Sequence, residues 1–351
     1  MTLRTPCRWT EFIHLRMRGT DTAFKRYDKF EVDSIARELG LRSAPILGIL
    51  DRPAGFDDSG LPDAFVLKPV DMTNKRGVML LRRLPGGTRF YEMLLRREMT
   101  REDIVAEQQR WRTLWKQNRR GPYRLIVQEM VVGENGPEQI PNDYKAYVFD
   151  GVIKLIIQGD RNTTPPSYYF YLGEFGPLAY PTHIQANWEQ SQLGERAVPK
   201  CRDALLDAAR TVSLALKTPF ISVDLYAGID GPVIGELTST PGNPYFKSTY
   251  SFTPAFDEEL GRAWLDALQR LGMEPPLFDE SDARIRRPTG LPGAKKIAKG
   301  SAKARGQTAS HSDRVTAMNP PLKRLQKLGL RLAKRAAVLW RRRSSQLGNR
   351  P

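Results

Sequence analysis

Alternating apolar and polar positions predict a series of β-strands in the first 275 residues. The segment "DAFVLKPV" has the pattern of a buried strand that runs into the polar loop "DMTNKRG", and "VMLLRRL" has that of the returning strand. "YRLIVQEMVVG" predicts a further strand, and "DYKAYVFDGVIKLIIQ" predicts a hairpin with Asp150 and Gly151 at its turn. The stretches "FISVDLY" and "PVIGELTST" predict a second hairpin, joined through "GIDG".

Helical periodicity separates these strands. The segment "YDKFEVDSIARELG" predicts a helix that Asp28 caps and Gly40 ends. Two helices are expected between "VMLLRRL" and "YRLIVQEMVVG", the second spanning "REDIVAEQQRWRTLWKQ". The segments "VPKCRDALLDAARTVSLAL" and "DEELGRAWLDALQRLG" predict two more. This mixture predicts an α+β or α/β protein with much antiparallel sheet.

The second hairpin carries a carboxylate inside each strand. A loop of three or five residues through "GIDG" places Asp224 opposite Glu236 and Ser222 opposite Thr238, and alternation places Ile234 on the same face as Glu236. Directly opposed carboxylates destabilise a strand pair by up to about 1 kcal/mol. A divalent cation bound between them would make the same pair stabilising. Oxygen ligands alone favour Mg²⁺ or Mn²⁺. Two solvated carboxylates on an exposed hairpin are the alternative.

Composition narrows the class of protein and of site. The chain has 351 residues, enough for two domains, and only two cysteines, Cys7 and Cys201, which argues against a disulfide framework. Its three scattered histidines argue against a histidine-based metal site or a Ser/His/Asp triad. The N-terminus lacks the apolar core of a signal peptide, and no apolar run approaches the roughly 20 residues that span a bilayer. We therefore expect a cytoplasmic protein.

The net charge of +16 belongs to the C-terminal tail. Residues 281–351 hold 19 Lys and Arg against 2 acidic residues, whereas the rest of the chain is nearly neutral. From Pro275 onward, a composition rich in Gly, Pro, Ala, Ser and Lys predicts a disordered linker over residues 275–320. A basic partner surface is therefore expected only in the tail.

Residues 321–343 predict a basic amphipathic helix. Its apolar face is formed by Leu322, Leu325, Leu328, Leu332, Ala336, Leu339 and Trp340. Its cationic face is formed by Lys323, Arg324, Lys327, Arg331, Lys334 and Arg335. Such a helix suits an anionic membrane surface, where each cation contributes about 1 kcal/mol, and would make the protein peripheral at the inner membrane face. A helix that docks on an acidic partner and a nucleic-acid contact are the alternatives, and the lack of interleaved aromatic residues weakens the nucleic-acid interpretation.

Several residues point to phosphate chemistry only in combination. Lys68 ends an apolar strand before a loop that contains Gly77, where an ammonium and loop amides can hold phosphate oxygens. Lys145 lies on a predicted strand and Arg161 follows the next one, yet each alone is compatible with a solvated charge. The sequence contains neither a Walker-type phosphate loop nor GxGxxG, so an ATP site needs a different architecture.

The order of these segments resembles the ATP-grasp fold and, more narrowly, the TupA-like ATP-grasp family, named for teichuronopeptide synthesis. The resemblance runs from about Tyr27 to Gly272 and rests on "YDKFEV", "LPDAFVLKP", "QEMVV", "NDYKAYVFDG", "VDLY", "GELTSTPG" and "DEELG". Its most specific parts are the "DYK" hairpin and the spacing between "VDLY" and "GELT".

The resemblance implies an α+β ATP-grasp fold, in which two α+β lobes grip ATP. It implies an N-terminal α/β region over residues 1–62, a small lobe over 63–133 and a large lobe with the metal site over 134–274. The linker over 275–320 and the basic helix over 321–343 complete this division.

The resemblance also implies roles for individual residues. The implied ATP contacts come from the small lobe and the segment that follows it: Lys68, Lys75, Gly77, Gln128, Glu129, Met130, Val132 and Glu138, with Glu134 as the alternative ribose partner to Glu138. The implied catalytic residues, which stabilise the transferring phosphoryl group, are Lys145 and Arg161. The implied ligands of one or two Mg²⁺ (or Mn²⁺) are Asp224, Glu236 and Thr238. In the loop "TPGNPYFKSTY", Asn243 and Lys247 are candidates to face the acceptor, and ordinary loop residues are the alternative.

The implied reaction is amide formation. ATP phosphorylates the carboxylate of a small molecule or glycan, and an amine then displaces phosphate from the acyl phosphate, in the synthesis of a cell-surface polysaccharide or a glycan–peptide. Thr238 stands where many ATP-grasp ligases have Asn, the phosphate loop is poor in glycine, and Ser222 and Asp33 stand where Arg is common. The alternatives are a kinase that phosphorylates a sugar hydroxyl and a non-catalytic nucleotide-binding membrane adaptor.

Overall fold

The structure is a computed structural model that describes residues 3–21, 25–70, 72, 75–118 and 121–280. The linker predicted over 275–320 lies mostly outside these residues, and the helix predicted over 321–343 lies entirely outside them. Within the described part of the chain, no helix is both long enough and apolar enough to cross a bilayer.

Six α-helices occur in the described residues. Their bounds are Trp9–Arg18 (α1), Lys29–Glu38 (α2), Arg101–Asn118 (α3), Arg202–Leu216 (α4), Gly242–Phe246 (α5) and Pro254–Arg270 (α6). As the sequence predicts, the Asp28 side chain caps α2 by accepting hydrogen bonds from the backbone amides of Phe30 and Glu31. Gly40 then leaves the helix with a φ of 67°, a left-handed value that glycine adopts without strain.

Sixteen β-strands occur in the same residues. Their bounds are Leu3–Arg4 (β1), Ile46–Leu50 (β2), Ala64–Pro69 (β3), Met79–Arg83 (β4), Arg89–Glu92 (β5), Arg97–Thr100 (β6), Leu125–Glu129 (β7), Asp143–Phe149 (β8), Val152–Asp160 (β9), Ser167–Leu172 (β10), Ile184–Ala186 (β11), Gln192–Leu193 (β12), Ile221–Gly228 (β13), Gly231–Thr238 (β14), Tyr250–Phe252 (β15) and Phe278–Asp279 (β16). Most of them belong to two six-stranded sheets.

The small sheet is antiparallel, with strand order β2-β7-β3-β4-β5-β6. Its outer face packs against α3 through a core that includes Phe65, Leu67, Leu81, Phe90, Ile104 and Val127. Because side chains alternate along a strand, Ala64, Val66 and Lys68 of β3 lie together on the opposite, inner face. The alternation of "AFVLKP" therefore buries one face and places Lys68 on the other.

The large sheet has strand order β12-β10-β9-β8-β13-β14, with antiparallel pairing everywhere except between β10 and β12. One face packs against α2 and α4 through Val32, Ala36, Ala146, Leu205, Ala209, Val212, Val223 and Leu225. The other face packs against α1 and α6, but only over the part of the sheet that carries Trp9, Phe12, Tyr147, Phe149, Phe220 and Trp264. Polar residues occupy the remainder of that second face.

A buried arginine joins α1 to the large sheet. Arg16 is 1% exposed, and its guanidinium stacks over the Trp264 ring at 4.3 Å. It donates to the backbone carbonyls of Phe220 and Ser239 at 3.0 Å each, and to the Asp21 carboxylate at 2.8 Å. Since Ser239 directly follows β14, this arginine fixes the end of the strand that carries Glu236.

The chain crosses between the two sheets twice, at neighbouring positions. The segment after α2 first borders β14, where the amide of Ile234 donates to the carbonyl of Arg42, and then enters β2 of the small sheet. The second crossing follows β7, where the Glu129 amide donates to the Pro45 carbonyl at 3.0 Å. The segment over residues 46–129 is therefore inserted between parts of the chain that build the large sheet.

The prediction of a first helix between "VMLLRRL" and α3 is wrong. Residues 89–100 form the β5–β6 hairpin, in which Phe90 and Met99 pair and are both buried. Glu92 is buried at the turn and accepts hydrogen bonds from the amides of Leu94 and Leu95. Burial of alternate residues against α3, together with a turn held by its own carboxylate, overrides the helical propensity of "YEMLLRRE".

The predicted length of the loop in the β13–β14 hairpin is also wrong. The strands are joined by two residues, Ile229 and Asp230, rather than by three or five. Asp224 nevertheless lies opposite Glu236, because Gly235 is an extra bulge residue that shifts the pairing by one position.

This bulge changes which side chains share a face of β14. Ile234 packs in the core beneath α2 and α4, whereas Glu236 is exposed on the opposite face, so the predicted grouping of these two residues is wrong. Glycine is required at the bulge because a Cβ on Gly235 would lie 2.7 Å from the Tyr226 ring.

Candidate active site

Strand pairing lines up charged residues on one face of the large sheet. Asp143, Lys145 and Tyr147 alternate along β8 and therefore share that face. Tyr147 lies in the core beneath α1 and α6, whereas Lys145 lies beyond the helices and pairs with Asp224, which in turn pairs with Glu236. The same face thus continues from an apolar core into a charged cluster.

The cluster contains two cations and two buried carboxylates in direct contact. Lys145 forms an ion pair with Asp224, and its Nζ lies 3.1 Å from Oδ2 of Asp143. Arg161, which follows β9, donates from Nη2 to the same Oδ2 at 3.0 Å. Ser222 donates to Oδ1 of Asp224 at 3.1 Å and so fixes the orientation of that carboxylate.

Burial and neighbouring charges shift the pKa values in this cluster. Burial on its own lowers the pKa of Lys145, but the charges of Asp224 and Asp143 outweigh it and hold that pKa above its ordinary value. Burial raises the pKa of Asp224; Lys145 opposes this rise, whereas the like charge of Glu236 adds to it. A second cation near Asp224 and Glu236 would favour the ionised form of both carboxylates.

Asp224 and Glu236 fit a magnesium ion that is shared with a nucleotide. They are direct cross-strand partners and offer only oxygen ligands, and Thr238 lies two residues beyond Glu236, opposite Ser222. No group of three or more His, Cys, Asp or Glu residues suited to a metal occurs in the described ranges. Two carboxylates completed by phosphate oxygens and water are a usual Mg²⁺ environment, so this donor set suits a metal that arrives with ATP.

The small sheet places further cations beside the carboxylate pair. Lys68 is half-buried on the inner face, and burial followed by the charge of Lys29 lowers its pKa to about 8, while Glu236 acts in the opposite direction. Lys29 extends from the first turn of α2, where its Nζ donates to the Val70 carbonyl at 2.7 Å. The cleft is the space between the inner face of the small sheet and the charged face of the large sheet. Lys29 and Lys68 approach the same end of it from different elements.

The loop after β3 is held by buried contacts at its far end. Lys75 has a left-handed φ of 60°. The Gly77 carbonyl accepts a 2.7 Å hydrogen bond from Gln108 of α3, and a Cβ on Gly77 would lie 2.8 Å from the Pro69 ring. Gly77 thus permits a close approach next to Lys68, which explains why glycine occurs here in a loop that has few others.

An apolar patch lies on the same inner face of the small sheet as Lys68. Met93, Met130 and Ile140 are buried together, against the inner-face residues Ala64, Val66, Leu80 and Tyr91 of the small sheet. Met130 comes from the segment that links the two sheets, and its contact to the adenine ring stays a prediction. Val132 is 37% exposed beside it.

Of the other residues predicted to contact the nucleotide, Gln128, Glu134 and Glu138 have side-chain partners within the protein. Gln128 donates to the Ala44 carbonyl at 3.0 Å, and Glu129 is exposed at the end of β7. Glu134 accepts from the amides of Lys200 and Cys201 before α4, at 3.0 and 3.1 Å. Glu138 forms an ion pair with Arg82 of the small sheet.

The candidate acceptor loop lies directly after β14. Asn243 accepts from the Ser248 hydroxyl at 2.6 Å, and Lys247 is exposed with a left-handed φ of 52°. The Tyr245 hydroxyl lies 2.7 Å from Nδ1 of His14, which anchors this loop to α1. Lys247 is the more accessible of the two predicted residues.

A comparison with protein families decides the classification. Residues 13–265 match the family model described as TupA-like ATPgrasp, a range that covers most of the chain. The chain belongs to the TupA-like ATP-grasp family. The sequence-based assignment and the ATP-grasp fold are therefore confirmed.

Solved structures of ATP-grasp proteins are similar to this family member at low identity. They include the ATP-grasp ligase PsnB complexed with minimal precursor, at 14% identity and a TM-score of 0.37 over 68% of this chain and 60% of that one. D-alanine--D-alanine ligase from Bacillus anthracis complexed with ATP has 13% identity and a TM-score of 0.38 over 70% and 65%. D-cycloserine synthetase DcsG has 20% identity and a TM-score of 0.37 over 70% of each chain.

The chain spans 60% and 65% of the lengths of PsnB and the Bacillus anthracis ligase. No curated protein matches the sequence. The classification of this ATP-grasp chain therefore rests on the family match.

Two charged residues at the cleft are missed by the sequence prediction. Lys29 follows the predicted helix cap, and a signal for it exists: it is a lysine in the first turn, where acidic residues are favoured. Asp143 begins "DYK", two residues before Lys145, so strand alternation places it on the same face as that lysine.

Proposed function

We propose that this protein is a Mg-ATP-dependent carboxylate–amine ligase that forms an amide through an acyl phosphate. One observation carries the proposal: cations from both sheets surround the paired carboxylates Asp224 and Glu236. Lys145 forms an ion pair with Asp224, and Arg161 is linked to Lys145 through Asp143. Lys68 approaches the same carboxylate pair from the small sheet. Cations on two sides of a two-carboxylate metal site suit a triphosphate bound between the sheets.

Position and charge account for the catalysis in this proposal. Lys29 and Lys68 hold the phosphates next to the small sheet, and the apolar patch around Met130 takes the adenine ring. Lys145 and Arg161 offset the charge on the transferring γ-phosphoryl group. Asp224 and Glu236 would hold Mg²⁺, which would neutralise part of the charge on the phosphates.

The reaction needs no covalent nucleophile on the protein. The substrate carboxylate attacks the γ-phosphorus, ADP leaves, and an amine then attacks the acyl carbon and displaces inorganic phosphate. Lys247, exposed on the loop after β14, and Asn243 on the same loop are the candidate contacts to the acceptor.

A substrate screen tests this function. The full-length chain is incubated with Mg-ATP and with amino acids, nucleotide-activated uronic acids or pairs of them, and release of ADP and phosphate is measured. A ligase requires both a carboxylate and an amine for sustained release. A kinase would instead release ADP in the presence of a sugar hydroxyl, without releasing inorganic phosphate.

Carboxylate variants test the site itself. Asp224→Asn and Glu236→Gln are each expected to lower turnover by at least about a hundredfold, since each removes charge from the metal site. Glu258→Gln is the matched control, because Glu258 is an exposed carboxylate that pairs with Arg8 away from the cleft. Full turnover in both site variants would exclude this site for either a ligase or a kinase.

We further propose that the product belongs to a cell-surface polysaccharide or glycan–peptide and that residues 321–343 bind the inner face of the membrane. Support comes from the family and from the charge pattern of the tail. Deleting residues 321–351 is expected to abolish sedimentation with anionic vesicles and to leave ATP binding intact. Equal sedimentation of both chains would contradict the membrane proposal.

A further inference from the structure

Asp143 is a buried carboxylate that contacts both proposed catalytic cations. It is 4% exposed, and its Oδ2 lies 3.0 Å from Nη2 of Arg161 and 3.1 Å from Nζ of Lys145. Asp224 contacts Lys145 but is paired with Glu236 across the hairpin. Asp143 therefore joins the two cations without belonging to the carboxylate pair.

A glycine on the neighbouring strand makes this contact possible. Gly159 of β9 pairs directly with Asp143, and a Cβ at that position would lie 2.3 Å from Oδ1 of Asp143. The carboxylate can therefore lean over β9 toward Arg161, which lies two residues further along. Any larger residue at 159 would occupy the space that the carboxylate fills.

Arg161 keeps hydrogen-bonding capacity beyond this contact. Its Nη2 donates to Asp143, whereas its Nη1 is buried and has no hydrogen-bond partner among the described residues. A buried guanidinium nitrogen without a partner costs free energy unless a ligand satisfies it. A phosphate oxygen is the acceptor that the proposed function supplies at this place.

Resting on that proposed function, we propose that Asp143 is a positioning residue that holds Lys145 and Arg161 together on the γ-phosphoryl group. Two cations that converge on one group repel each other before that group is bound. A carboxylate shared from behind offsets this repulsion and orients both side chains, while each keeps N–H groups for the phosphate. Asp143 itself does not touch the phosphate.

Nucleotide binding tests this role without knowledge of the acceptor. Dissociation constants of Mg-ADP and of Mg-AMP-PNP, which retains a γ-phosphoryl group, are measured by calorimetry for the wild-type chain and for Asp143→Asn. We expect the wild-type chain to bind Mg-AMP-PNP more tightly. In Asp143→Asn we expect Mg-AMP-PNP affinity to fall by roughly tenfold or more, as for charged hydrogen bonds, with Mg-ADP affinity nearly unchanged.

Further variants separate positioning from general support of the fold. Gly159→Ala displaces the carboxylate without removing it and is expected to reproduce the selective loss for Mg-AMP-PNP. Asp143→Asn combined with Arg161→Gln is expected to lose less than the sum of the two single changes, because the two residues share one contact. Asp257→Asn is the control for losing a buried carboxylate, since Asp257 accepts hydrogen bonds from Thr10 of α1 and its charged neighbours are Arg8 and Glu11. Both affinities should stay at the wild-type values.

The outcomes distinguish this inference from the proposed function. If the wild-type chain binds neither nucleotide, the proposed function falls, and the role of Asp143 falls with it. If the wild-type chain prefers Mg-AMP-PNP and folded Asp143→Asn and Gly159→Ala keep that preference, only the role of Asp143 is overturned. An equal loss for both nucleotides would overturn it as well, because that pattern indicates a structural residue.

Discussion

Replacing Arg16 with methionine is expected to cost far more stability than replacing an exposed arginine nearby. The Arg16 guanidinium is 1% exposed and donates to two buried carbonyls, those of Phe220 and Ser239, as well as to the Asp21 carboxylate. Methionine fills part of the volume but leaves these three acceptors without that donor. Breaking a buried ion pair from one side costs about 3–5 kcal/mol, so we expect a loss in this range.

Arg8→Met is the matched control. Arg8 directly precedes α1 and pairs with Glu258, and the two side chains are 46% and 40% exposed. An exposed pair of this kind contributes about 0–1 kcal/mol. The two variants should therefore differ by at least about 2 kcal/mol in the free energy of unfolding, as the difference between the two expected costs.

Urea denaturation followed by fluorescence and by circular dichroism measures this difference, with the wild-type chain unfolded in parallel. Because Arg16 also fixes Ser239 at the end of β14, folded Arg16→Met is expected to bind Mg-ADP more weakly, whereas Arg8→Met is not. Denaturation midpoints within experimental error of each other would refute the reasoning, since they would mean that the buried contacts add nothing to the exposed one.

Three further predictions concern the small sheet. Because burial lowers the pKa of Lys68 to about 8, Mg-ADP affinity should fall as the pH rises through 8, and Lys68→Arg should remove this pH dependence; a flat wild-type profile between pH 7 and 9 would contradict it. The same shift disfavours the charged form in the folded state, so the free protein should gain stability as the pH rises from about 8 toward the ordinary lysine pKa near 10.4. Gly77→Ala should weaken Mg-ADP binding, because the added Cβ would push against Pro69 beside Lys68. Gly60 has a similar positive φ but no neighbour within 4 Å, so Gly60→Ala should leave binding unchanged. Equal effects of the two changes on Mg-ADP binding would exclude the steric explanation.

The sequence predicts that Asp224 lies opposite Glu236, although it predicts neither the two-residue loop nor the bulge that together produce this pairing. A three- or five-residue loop and a regular strand give the same pairing at this position as a two-residue loop and a bulge. Gly235, a glycine inside a strand pattern, is the available sign of the bulge. The pairing alone cannot distinguish the two arrangements, although the position of Ile234 does.

The charged residues around the cleft were harder to recognise because each has an ordinary explanation in the sequence. Lys29 follows a helix cap and could be a solvated charge of the first turn. Asp143 begins a strand, where a polar residue commonly ends a loop. Only strand pairing across β8 and β9 shows that Asp143 reaches Arg161, and pairing partners far apart in the sequence are not specified by local pattern.

The β5–β6 hairpin shows where local propensity fails. "RFYEMLLRREMT" contains good helix formers, and the same residues satisfy a two-residue alternation when Phe90 and Met99 are the buried positions. Packing of α3 over Phe90 and Met99 favours the hairpin over a helix. A contact made later in the chain cannot be read from the segment itself.

The adjacent chain crossings at Pro45 and Glu129 make residues 46–129 a self-contained insert whose ends meet. A segment with neighbouring ends could be gained or exchanged as one piece during evolution, because the entropy of closing the gap it leaves is small. The two crossings also lie side by side, so the small sheet is connected to the rest of the protein at one place. A rotation of the small sheet about this place would move β5 and β6 furthest, because they are the strands most distant from β2 and β7, which the two crossings join to the rest of the chain.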